Sequence, residues 1–400
     1  MIRHCVVFLL DSAPSTWTSQ EDRHLRLCQA LRRNGVQPVF VFSRPLRPEI
    51  ESRLRSAGAE IEAIDYGEGL VHYWRTLKRL VDTFSVTTAH ILFFDYFSAV
   101  PWIARLCGIP VVIYEMQNSG EFRATSWKKW LLRLRTRLMT EPVTKVIAIS
   151  EFVKRQLLAA GVPDCKIVVR YLGVDTERFA PDCREREQWV DRFSIRSDEL
   201  ILSTVSYLRP FKNPHVLVEA CKELQDRHVP VRLLVAGDGE MLSDLKALAK
   251  RIGVENRVHW LGNLSDPRAL LQATDIFVLA SVGEAFGLVL TEAMACGVPV
   301  VGSRSGSLGE VVEEGHTGLL AVPLDAVAFA DAIERLSRDI SGRMEMGAQA
   351  IQRVRTQFTV DIAVERTMDI YEILWTTGGS RGPKPRSTPA ESPGDGRPVS

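Results

Sequence analysis

Short apolar runs alternate with longer stretches of helical periodicity along most of the chain, and this alternation constrains the fold more than any other feature. The runs have the length of buried strands, at 5–10, 36–42, 90–94, 110–114, 145–149, 200–205, 231–236, 258–261, 275–279 and 298–302. Strands separated by helices form parallel sheets that are covered by helices on both faces. The pattern therefore predicts an α/β protein built from doubly wound parallel sheets.

Length and composition set the number of domains and exclude several classes of protein. The chain has 400 residues, 46% of them hydrophobic, which gives room for two domains with a core each. Its 50 basic and 49 acidic residues leave a net charge of +1, so nothing attracts it globally to nucleic acid. Seven cysteines without a C-x-x-C pair fit reduced cytosolic thiols better than a disulfide framework or a zinc site. We therefore expect a cytoplasmic protein that does not bind nucleic acid.

The ends of the chain and its middle give the predicted domain boundaries. The apolar run at the start is too short for a signal peptide and predicts a first strand, and no segment approaches the roughly 20 apolar residues that cross a bilayer. The alternation ceases between 172 and 199, which predicts a first domain over 1–172, a link over 173–199 and a second domain over 200–357. A last helical pattern covers 358–375, and the Gly- and Pro-rich segment 376–400 has the composition of a disordered tail.

Two acidic residues, Glu284 and Glu292, lie in a segment that predicts strand, loop, helix and strand. The loop after the first strand and the first turn of the helix face the ligand crevice in such a unit, with unpaired backbone N–H groups. Residues 286–288 (Phe286, Gly287 and Leu288) could therefore hold a diphosphate. Glu292 lies about 7 Å further along the helix axis, at a rise of ~1.5 Å per residue. From there its carboxylate could accept hydrogen bonds from two ribose hydroxyls.

The run from Ser281 through Val301 resembles the signature of the retaining family 4 glycosyltransferases, S-x-x-E-x-F-G-L-x-x-x-E-A-M-A-x-G-x-P-V-V. This resemblance implies the GT-B fold, in which two Rossmann-like domains face each other across a cleft. It implies that the second domain holds a nucleotide sugar, with Glu284 on the sugar hydroxyls. It also implies that the last helix crosses back onto the first domain. The G-V-D-T-E-R-F run that begins at Gly173 is similar to a family motif beside the cleft.

Two basic residues follow the strand 200–205, at the start of the next helix. Arg209 and Lys212 are one helical turn apart, so both could reach one pyrophosphate. The family usually has its arginine at the position of Tyr207, so the spacing differs here. The alternative is a pair of exposed cations, although a positive charge at that end opposes the helix dipole.

Further glycines match the family pattern at three turns of the second domain. Gly237 belongs to a V-x-G-x-G turn, which simple chain reversal also explains. Gly262, Asn263 and Leu264 follow the strand where the family holds the edge of the base. Gly306-Ser307 replaces a pair of glycines near the sugar, a change that is tolerated if only one position needs positive φ.

No Asp lies two residues from another Asp, so the D-x-D metal motif of the other large glycosyltransferase architecture is absent. We therefore predict that the protein uses no metal and no cofactor. Arg209, Lys212 and the helix start would then neutralise the departing diphosphate.

The first domain matches the family less well. Thr18-Ser19 stands where a glycine pair is common, and Met116 stands where the family has a histidine that contacts the donor. The polar neighbours Glu115, Gln117 and Asn118 could substitute for that histidine, and Asp95 is another polar residue at the end of a strand.

A basic amphipathic helix is predicted over 127–138. One stripe holds its apolar side chains, and five basic residues lie elsewhere on it: Lys128, Lys129, Arg133, Arg135 and Arg137. Contact with an anionic membrane or a lipid-linked acceptor would explain both faces. A helix that covers the sheet and has a solvated basic side explains them equally well.

These observations predict a retaining, metal-independent transferase that moves a hexose-type sugar from a nucleotide diphosphate, with UDP as the expected nucleotide. The acceptor would be a glycan, a lipid-linked molecule or a small molecule, and the protein could lie at the inner membrane face. A nucleotide-sugar epimerase, a phosphorylase and a non-catalytic sugar-binding protein remain as alternatives.

Overall fold

The computed structural model describes residues 4–14, 16–64, 69–94, 98–118 and 126–377, and only the backbone of 126–129, 131 and 132. The predictions for Asp95, for the side chains of Lys128 and Lys129, and for the tail beyond residue 377 lie outside the described residues.

The first domain contains seven strands and six helices in its described residues. The strands are β1 (His4–Leu10), β2 (Val36–Phe42), β3 (Glu60–Ala63), β4 (Thr88–Leu92), β5 (Val111–Met116), β6 (Lys145–Ala148) and β7 (Ile167–Val169). The helices are α1 (Ser19–Arg33), α2 (Pro48–Ser56), α3 (Leu70–Phe84), α4 (Val100–Leu106), α5 (Ser126–Thr140) and α6 (Glu151–Ala160).

The second domain follows with the same alternation. Its described strands are β8 (Leu200–Val205), β9 (Val231–Ala236), β10 (Val258–Gly262), β11 (Ile276–Leu279), β12 (Val300–Ser303) and β13 (Gly318–Ala321). Its helices are α7 (Arg184–Phe193), α8 (Pro214–Asp226), α9 (Leu242–Arg251), α10 (Arg268–Ala273), α11 (Leu288–Ala295), α12 (Leu308–Val311), α13 (Ala326–Arg338) and α14 (Ile340–Gln357), and the chain continues into α15 (Val360–Thr376).

Both sheets are parallel and have the same kind of strand order. The first is ordered β3-β2-β1-β4-β5-β6-β7 and the second β10-β9-β8-β11-β12-β13. The order reverses direction between β1 and β4 in one sheet and between β8 and β11 in the other. Ligands of such sheets bind beyond the carboxyl ends of the strands at this reversal. The topology therefore points to the loops after β8 and β11, which contain Lys212 and Glu284.

The central strands are buried along almost their whole length because helices cover both faces. Six of the seven residues of β1 are buried, and so are all four of β11. The prediction missed three short strands at or near the sheet edges, β3, β7 and β13. They have three or four residues each, and β3 alternates acidic with apolar residues. Segments this short carry little periodic signal.

The chain crosses between the domains twice, and the two crossing segments are bonded to each other. The Val174 N–H donates to the Phe358 carbonyl at 2.9 Å, and the Val360 N–H donates to the Val174 carbonyl at 3.0 Å. A Cβ at Gly173 would lie 2.3 Å from the Thr359 carbonyl oxygen, so only glycine fits there.

The helices nearest these crossings pack on different domains. α7 lies inside the predicted link 173–199 and packs through Trp189 against the second sheet. α15 packs on the first sheet, where the Tyr371 hydroxyl lies 2.6 Å from His90 Nδ1. Among the described helices, none combines the length and the apolar character needed to cross a bilayer.

Candidate active site between the two domains

The loops after β8 and β11 bring together two charged side chains from the predicted site. Lys212 ends a short 3-10 turn, and its Nζ lies 2.6 Å from Glu284 Oε2. The two side chains are 16% and 17% exposed, so the pair is partly withdrawn from water and still reachable. The Val282 N–H donates to the Phe211 carbonyl at 3.2 Å, which holds one loop against the other.

The loop after β12 holds the backbone of Glu284 in place. The Ser307 N–H and hydroxyl both donate to the Glu284 carbonyl, at 2.9 and 3.0 Å. Gly306 has φ +65°, and a Cβ there would lie 2.5 Å from the Glu284 backbone. Ser307 has φ −92°, so only the first residue of this pair needs glycine.

The amino end of α11 lies next to this pair. Gly287 precedes the helix with φ +85°, and a Cβ there would come within 2.7 Å of the Leu308 side chain. The Phe286 side chain is buried and packs against Tyr171 and Phe358, so only its backbone faces a ligand. The first N–H groups of a helix have no partner within it. The Leu290 and Thr291 N–H groups donate to the Gly287 carbonyl, so the N–H groups of Leu288 and Val289 are those that can donate to an anion.

Glu292 lies one turn into α11 and is 7% exposed. Its Oε1 accepts a hydrogen bond of 2.5 Å from the hydroxyl of Ser19, which lies on α1 of the other domain. Burial raises the pKa of Glu292 to about 7, with further contributions from Asp266 and Asp22, whereas Ser19 and Arg178 oppose the rise. In this structure the Ser19 hydroxyl thus donates to the Glu292 carboxylate, which the sequence analysis expected to accept hydrogen bonds from ribose hydroxyls.

The other predicted residues of the second domain have more varied surroundings. Arg209 is exposed, with its guanidinium carbon 5.6 Å from the centroid of the Tyr207 ring. The Gly237 N–H donates to the Gly262 carbonyl at 2.8 Å, and a Cβ on Gly237 would lie 1.9 Å from the Ser206 carbonyl oxygen. This close approach of two loops accounts for Gly237 without a ligand. Asn263 is exposed at the same edge, and Leu264 packs against the core beside α7.

The first domain lines the opposite wall with the start of α1. Thr18 and Glu21 form a capping box, in which the Gln20 N–H donates to Thr18 Oγ1 at 3.2 Å and the Thr18 N–H to Glu21 Oε2 at 2.8 Å. The cap uses both side chains. Ser19, the next residue, extends its hydroxyl across the cleft instead.

The end of β5 shows which residues lie where the family has its histidine. Met116 is buried in the core, and Asn118 is exposed. Gln117 is half-buried: its Nε2 donates to Glu115 Oε1 at 2.6 Å, and its Oε1 accepts from Gln20 at 3.0 Å. Of the proposed substitutes, Gln117 is the one held by hydrogen bonds beside the start of α1.

Glu115 itself is an interior residue and part of a buried charged cluster. It pairs with Arg23 at 3.0 Å, with Arg170 and with His90 at 3.2 Å, all almost fully buried. Burial alone would raise its pKa, but Arg170 and Arg23 hold the pKa of Glu115 well below its usual range. Its carboxylate is therefore fully used inside the domain, and it does not present itself to a ligand.

Sequence reasoning missed the contacts that join the domains. Glu310 accepts hydrogen bonds from the backbone N–H groups of Glu151 and Phe152, at 2.7 and 2.6 Å, at the amino end of α6. Ser150 caps α6 and donates to the Ala285 carbonyl at 2.7 Å. The N-cap preference of serine was the only local signal for this contact.

Arg178, in the G-V-D-T-E-R-F run, bridges the two domains. Its guanidinium lies 2.9 Å from Asp22 of α1 and 3.3 Å from Asp266 of the second domain.

Within the described residues, no three His, Cys, Asp or Glu side chains come together as a metal site.

Comparisons with known proteins match both halves of the chain. The family model described as "Glycosyltransferase Family 4" matches residues 21–178, and the one described as "Glycosyl transferases group 1" matches residues 185–353. The N-acetyl-alpha-D-glucosaminyl L-malate synthase of Bacillus anthracis is 35% identical over 188 residues, 47% of this chain and 49% of that protein. A D-inositol 3-phosphate glycosyltransferase of Corynebacterium glutamicum is 35% identical over 207 residues, 48% of each chain. The match thus spans about half the length of these relatives.

A solved structure has the same fold over nearly the whole chain. Anabaena HepE in complex with UDP-glucose superposes with a TM-score of 0.78 at 20% identity, covering 92% of this chain and 99% of that one. The likeness confirms the predicted architecture of two parallel-sheet domains facing across a cleft.

Proposed function

The chain belongs to the glycosyltransferases that these two family models describe, and from this premise we propose that it transfers a hexose-type sugar from UDP to an acceptor. In this proposal the transfer retains the anomeric configuration and needs no metal ion. One observation carries it: the Lys212–Glu284 pair and the amino end of α11 lie together at the carboxyl edge of the second sheet.

The diphosphate would bind between Lys212 and the start of α11. An ammonium group has three N–H donors, so Lys212 can keep its bond to Glu284 and still reach a phosphate oxygen. Helix N–H groups and the helix dipole favour an anion at the same place. Arg209 is exposed and close in sequence, and its guanidinium could close over the second phosphate.

The sugar and the ribose would then lie on either side of the diphosphate. Glu284 is held by two hydrogen bonds to its carbonyl, so its carboxylate is positioned to accept bonds from sugar hydroxyls. Glu292 would accept bonds from the ribose, whose hydroxyls would replace that of Ser19. A carboxylate has about four acceptor positions, which is sufficient for a vicinal diol.

Preorganised positive charge would stabilise the departing UDP without a metal ion. Charge of this kind has its largest effect in a cleft that excludes water. The choice of UDP is supported by HepE, which was solved with UDP and with UDP-glucose.

The decisive experiment incubates the purified protein with UDP- and GDP-sugars and measures nucleotide release with and without acceptors. L-malate and inositol 3-phosphate belong in the acceptor panel because the relatives' names contain them. Acceptor-dependent release of UDP, with an unchanged anomeric configuration by NMR, supports the proposal. Interconversion of sugars without release indicates an epimerase, and dependence on phosphate indicates a phosphorylase. Binding of nucleotide sugar without turnover of any acceptor indicates a non-catalytic protein.

A further inference from the structure

Three neighbouring helices of the first domain expose large apolar side chains to solvent. We name this surface the three-helix face, and its described apolar residues are between 40% and 72% exposed: Leu70, Val71 and Trp74 on α3, Trp102 and Leu106 on α4, and Trp130, Leu134 and Leu138 on α5. Three of the eight are tryptophans. Exposed apolar groups of this size in one region mark a binding surface more often than chance exposure.

Direct contacts show that the three helices are adjacent at these residues. The Cys107 thiol, at the end of α4, lies 3.7 Å from the Trp74 carbonyl of α3. The Trp102 indole N–H donates to the Leu138 carbonyl of α5 at 3.2 Å. The exposed residues therefore form one surface rather than three isolated patches.

The structure separates the two interpretations of the basic helix. If α5 covered the sheet through its apolar stripe, the stripe would be buried. Instead Trp130, Leu134 and Leu138 are exposed, and among the described side chains of α5 the buried ones are Thr136 and Thr140. The apolar stripe, as far as its side chains are described, thus faces outward.

The same three helices hold an unusual share of the positive charge. They have 15, 7 and 15 residues. Within them are nine basic residues and one acidic residue, Asp82, a net charge of +8 in a chain whose total is +1. The basic residues are Arg75, Lys78, Arg79, Arg105, Lys128, Lys129, Arg133, Arg135 and Arg137. The rest of the protein is therefore net acidic. Part of the charge on the three helices is paired, because Lys78 bonds to Asp82 and Arg79 lies 3.8 Å from Glu62. Among the described side chains of these helices, the other exposed basic ones are Arg75, Arg133, Arg135 and Arg137.

We propose that the three-helix face docks the protein on a bilayer that contains anionic lipid. Tryptophan rings and leucines fit the boundary between headgroups and acyl chains, and basic residues are attracted to the negative surface. A second copy of the chain is a poor occupant because it would bring one surface with an excess of positive charge against an identical one. An acidic partner protein is the alternative occupant, and binding to vesicles of purified lipid decides between the two.

Docking in this way would also orient the cleft. Helices of a parallel sheet begin near the carboxyl ends of the strands, the edge that faces the ligand. Leu70 and Val71 are in the first turn of α3, and Trp130 is in the second turn of α5, so one end of the face lies toward the carboxyl edge of the first sheet. This orientation rests on the proposed function, and it favours a lipid-linked acceptor that is presented at the membrane surface.

The test measures binding of the full chain to vesicles by co-sedimentation. We expect binding to equal parts of phosphatidylglycerol and phosphatidylcholine, and little binding to phosphatidylcholine alone. Raising the ionic strength from about 0.01 to 0.15 M should release the protein, because the screening length falls from about 30 to about 8 Å.

Two variants and a matched control locate the contact. The double variant Arg75→Glu/Arg137→Glu should lower partitioning by more than about tenfold, because each basic group near an anionic surface contributes about fivefold. The variant Leu106→Gln/Trp130→Gln should also weaken binding, through loss of the apolar contact. The control is Met344→Gln/Arg355→Glu on α14, where Met344 is 73% exposed. It should bind as the wild type does.

Equal binding to both lipid mixtures, no binding at low salt, or undiminished binding of the charge-reversal variant would overturn the proposal. Dimerisation that Leu106→Gln/Trp130→Gln abolishes, without vesicle binding, would assign the face to a second copy. Calorimetric titration of each variant with UDP measures nucleotide binding independently of vesicle binding, so the proposed function and the membrane contact are tested separately. A wild type that binds vesicles but no nucleotide would contradict the proposed function and leave the membrane contact standing.

Discussion

The two walls of the cleft are built in different ways. In the second domain, Glu284, Gly287 and Glu292 lie within nine consecutive residues of one strand-loop-helix unit, and adjacent loops hold them in place. In the first domain, the polar groups beside the cleft are tied to a buried cluster. Gln117 bonds to Glu115, which pairs with Arg23 and Arg170 from distant parts of the chain. The second-domain wall is thus built from one local sequence motif, whereas the first-domain wall depends on a buried cluster of charged side chains.

This difference predicts different consequences of mutation. A change at Lys212 or Glu284 in the second wall should remove ligand contacts and leave the domain folded, because both side chains are partly exposed. A change in the first wall should unbalance charges that have no access to water. The following predictions test that contrast, from the largest expected effect to the smallest.

Glu115→Gln should lower the free energy of unfolding by about 3–5 kcal/mol, because it leaves Arg23 and Arg170 buried without their carboxylate. Urea denaturation measures the change. The control is Glu177→Gln, whose side chain is 86% exposed and pairs with Arg26 at 3.3 Å. It should cost less than about 1 kcal/mol. If both variants are equally stable, the buried cluster does not support the first wall.

Lys212→Ala should lower kcat/KM by about 10²–10³-fold, because a preorganised positive charge at the diphosphate is lost. The melting temperature should change little, since the Lys212–Glu284 pair is partly exposed. The exposed Lys250 supplies the control, Lys250→Ala, which should retain full activity. Unchanged kcat/KM in Lys212→Ala would remove this residue from the proposed mechanism.

Glu292→Ala should weaken the affinity for UDP, because each charge-assisted hydrogen bond to the ribose is worth about 1.5–3 kcal/mol. Calorimetric titration gives the dissociation constant. Ser19→Ala is the matched variant on the opposite wall: it removes the hydroxyl that competes for Glu292 and should not weaken UDP binding. Wild-type affinity in a folded Glu292→Ala protein would show that the ribose binds elsewhere.

Glu292→Gln should make the protein more stable relative to the wild type as the pH rises. Burial raises the pKa of Glu292 to about 7 from 4.5, so the folded state holds a proton that the unfolded state has released. The wild type should therefore lose stability between pH 4.5 and 7, by about 1–3 kcal/mol, and the glutamine variant should not. Melting temperatures of both proteins at pH 5 and pH 8 test this. If the melting temperatures of the two proteins differ by the same amount at both pH values, the pKa of Glu292 is not raised in the folded state.

Chelation of divalent metal ions should leave the rate of transfer unchanged, which is the smallest of these effects. The reason is that positive side chains and the start of α11 would neutralise the departing diphosphate. Initial rates with EDTA, compared with rates in added magnesium or manganese, provide the measurement. Loss of turnover on chelation that either metal restores would show that the cleft recruits a cation.

The outcome of the sequence predictions follows the same contrast between the walls. The strand-loop-helix-strand unit around Glu284 and Glu292 was predicted with nearly its observed bounds, because strand and helix periodicity and Gly287 and Gly297 act over a few residues. β4 was predicted two residues too late, since Phe93 takes a left-handed φ of +62° that no local preference of phenylalanine announces. The apolar stripe of α5 was recognised, but its direction was left open.

The sequence by itself determined the class of fold, the alternation of strands and helices that makes the sheets parallel, and the strand-loop-helix unit in which the second-domain site lies. Only the tertiary structure decided which polar groups meet. Ser19 reaches Glu292, Glu310 bonds to the start of α6, and Glu115 lies in the interior instead of the cleft. The physical reason is one of range. Periodicity and turn preferences act between residues a few positions apart, whereas these contacts join residues 92 to 273 positions apart and depend on how two complete domains pack.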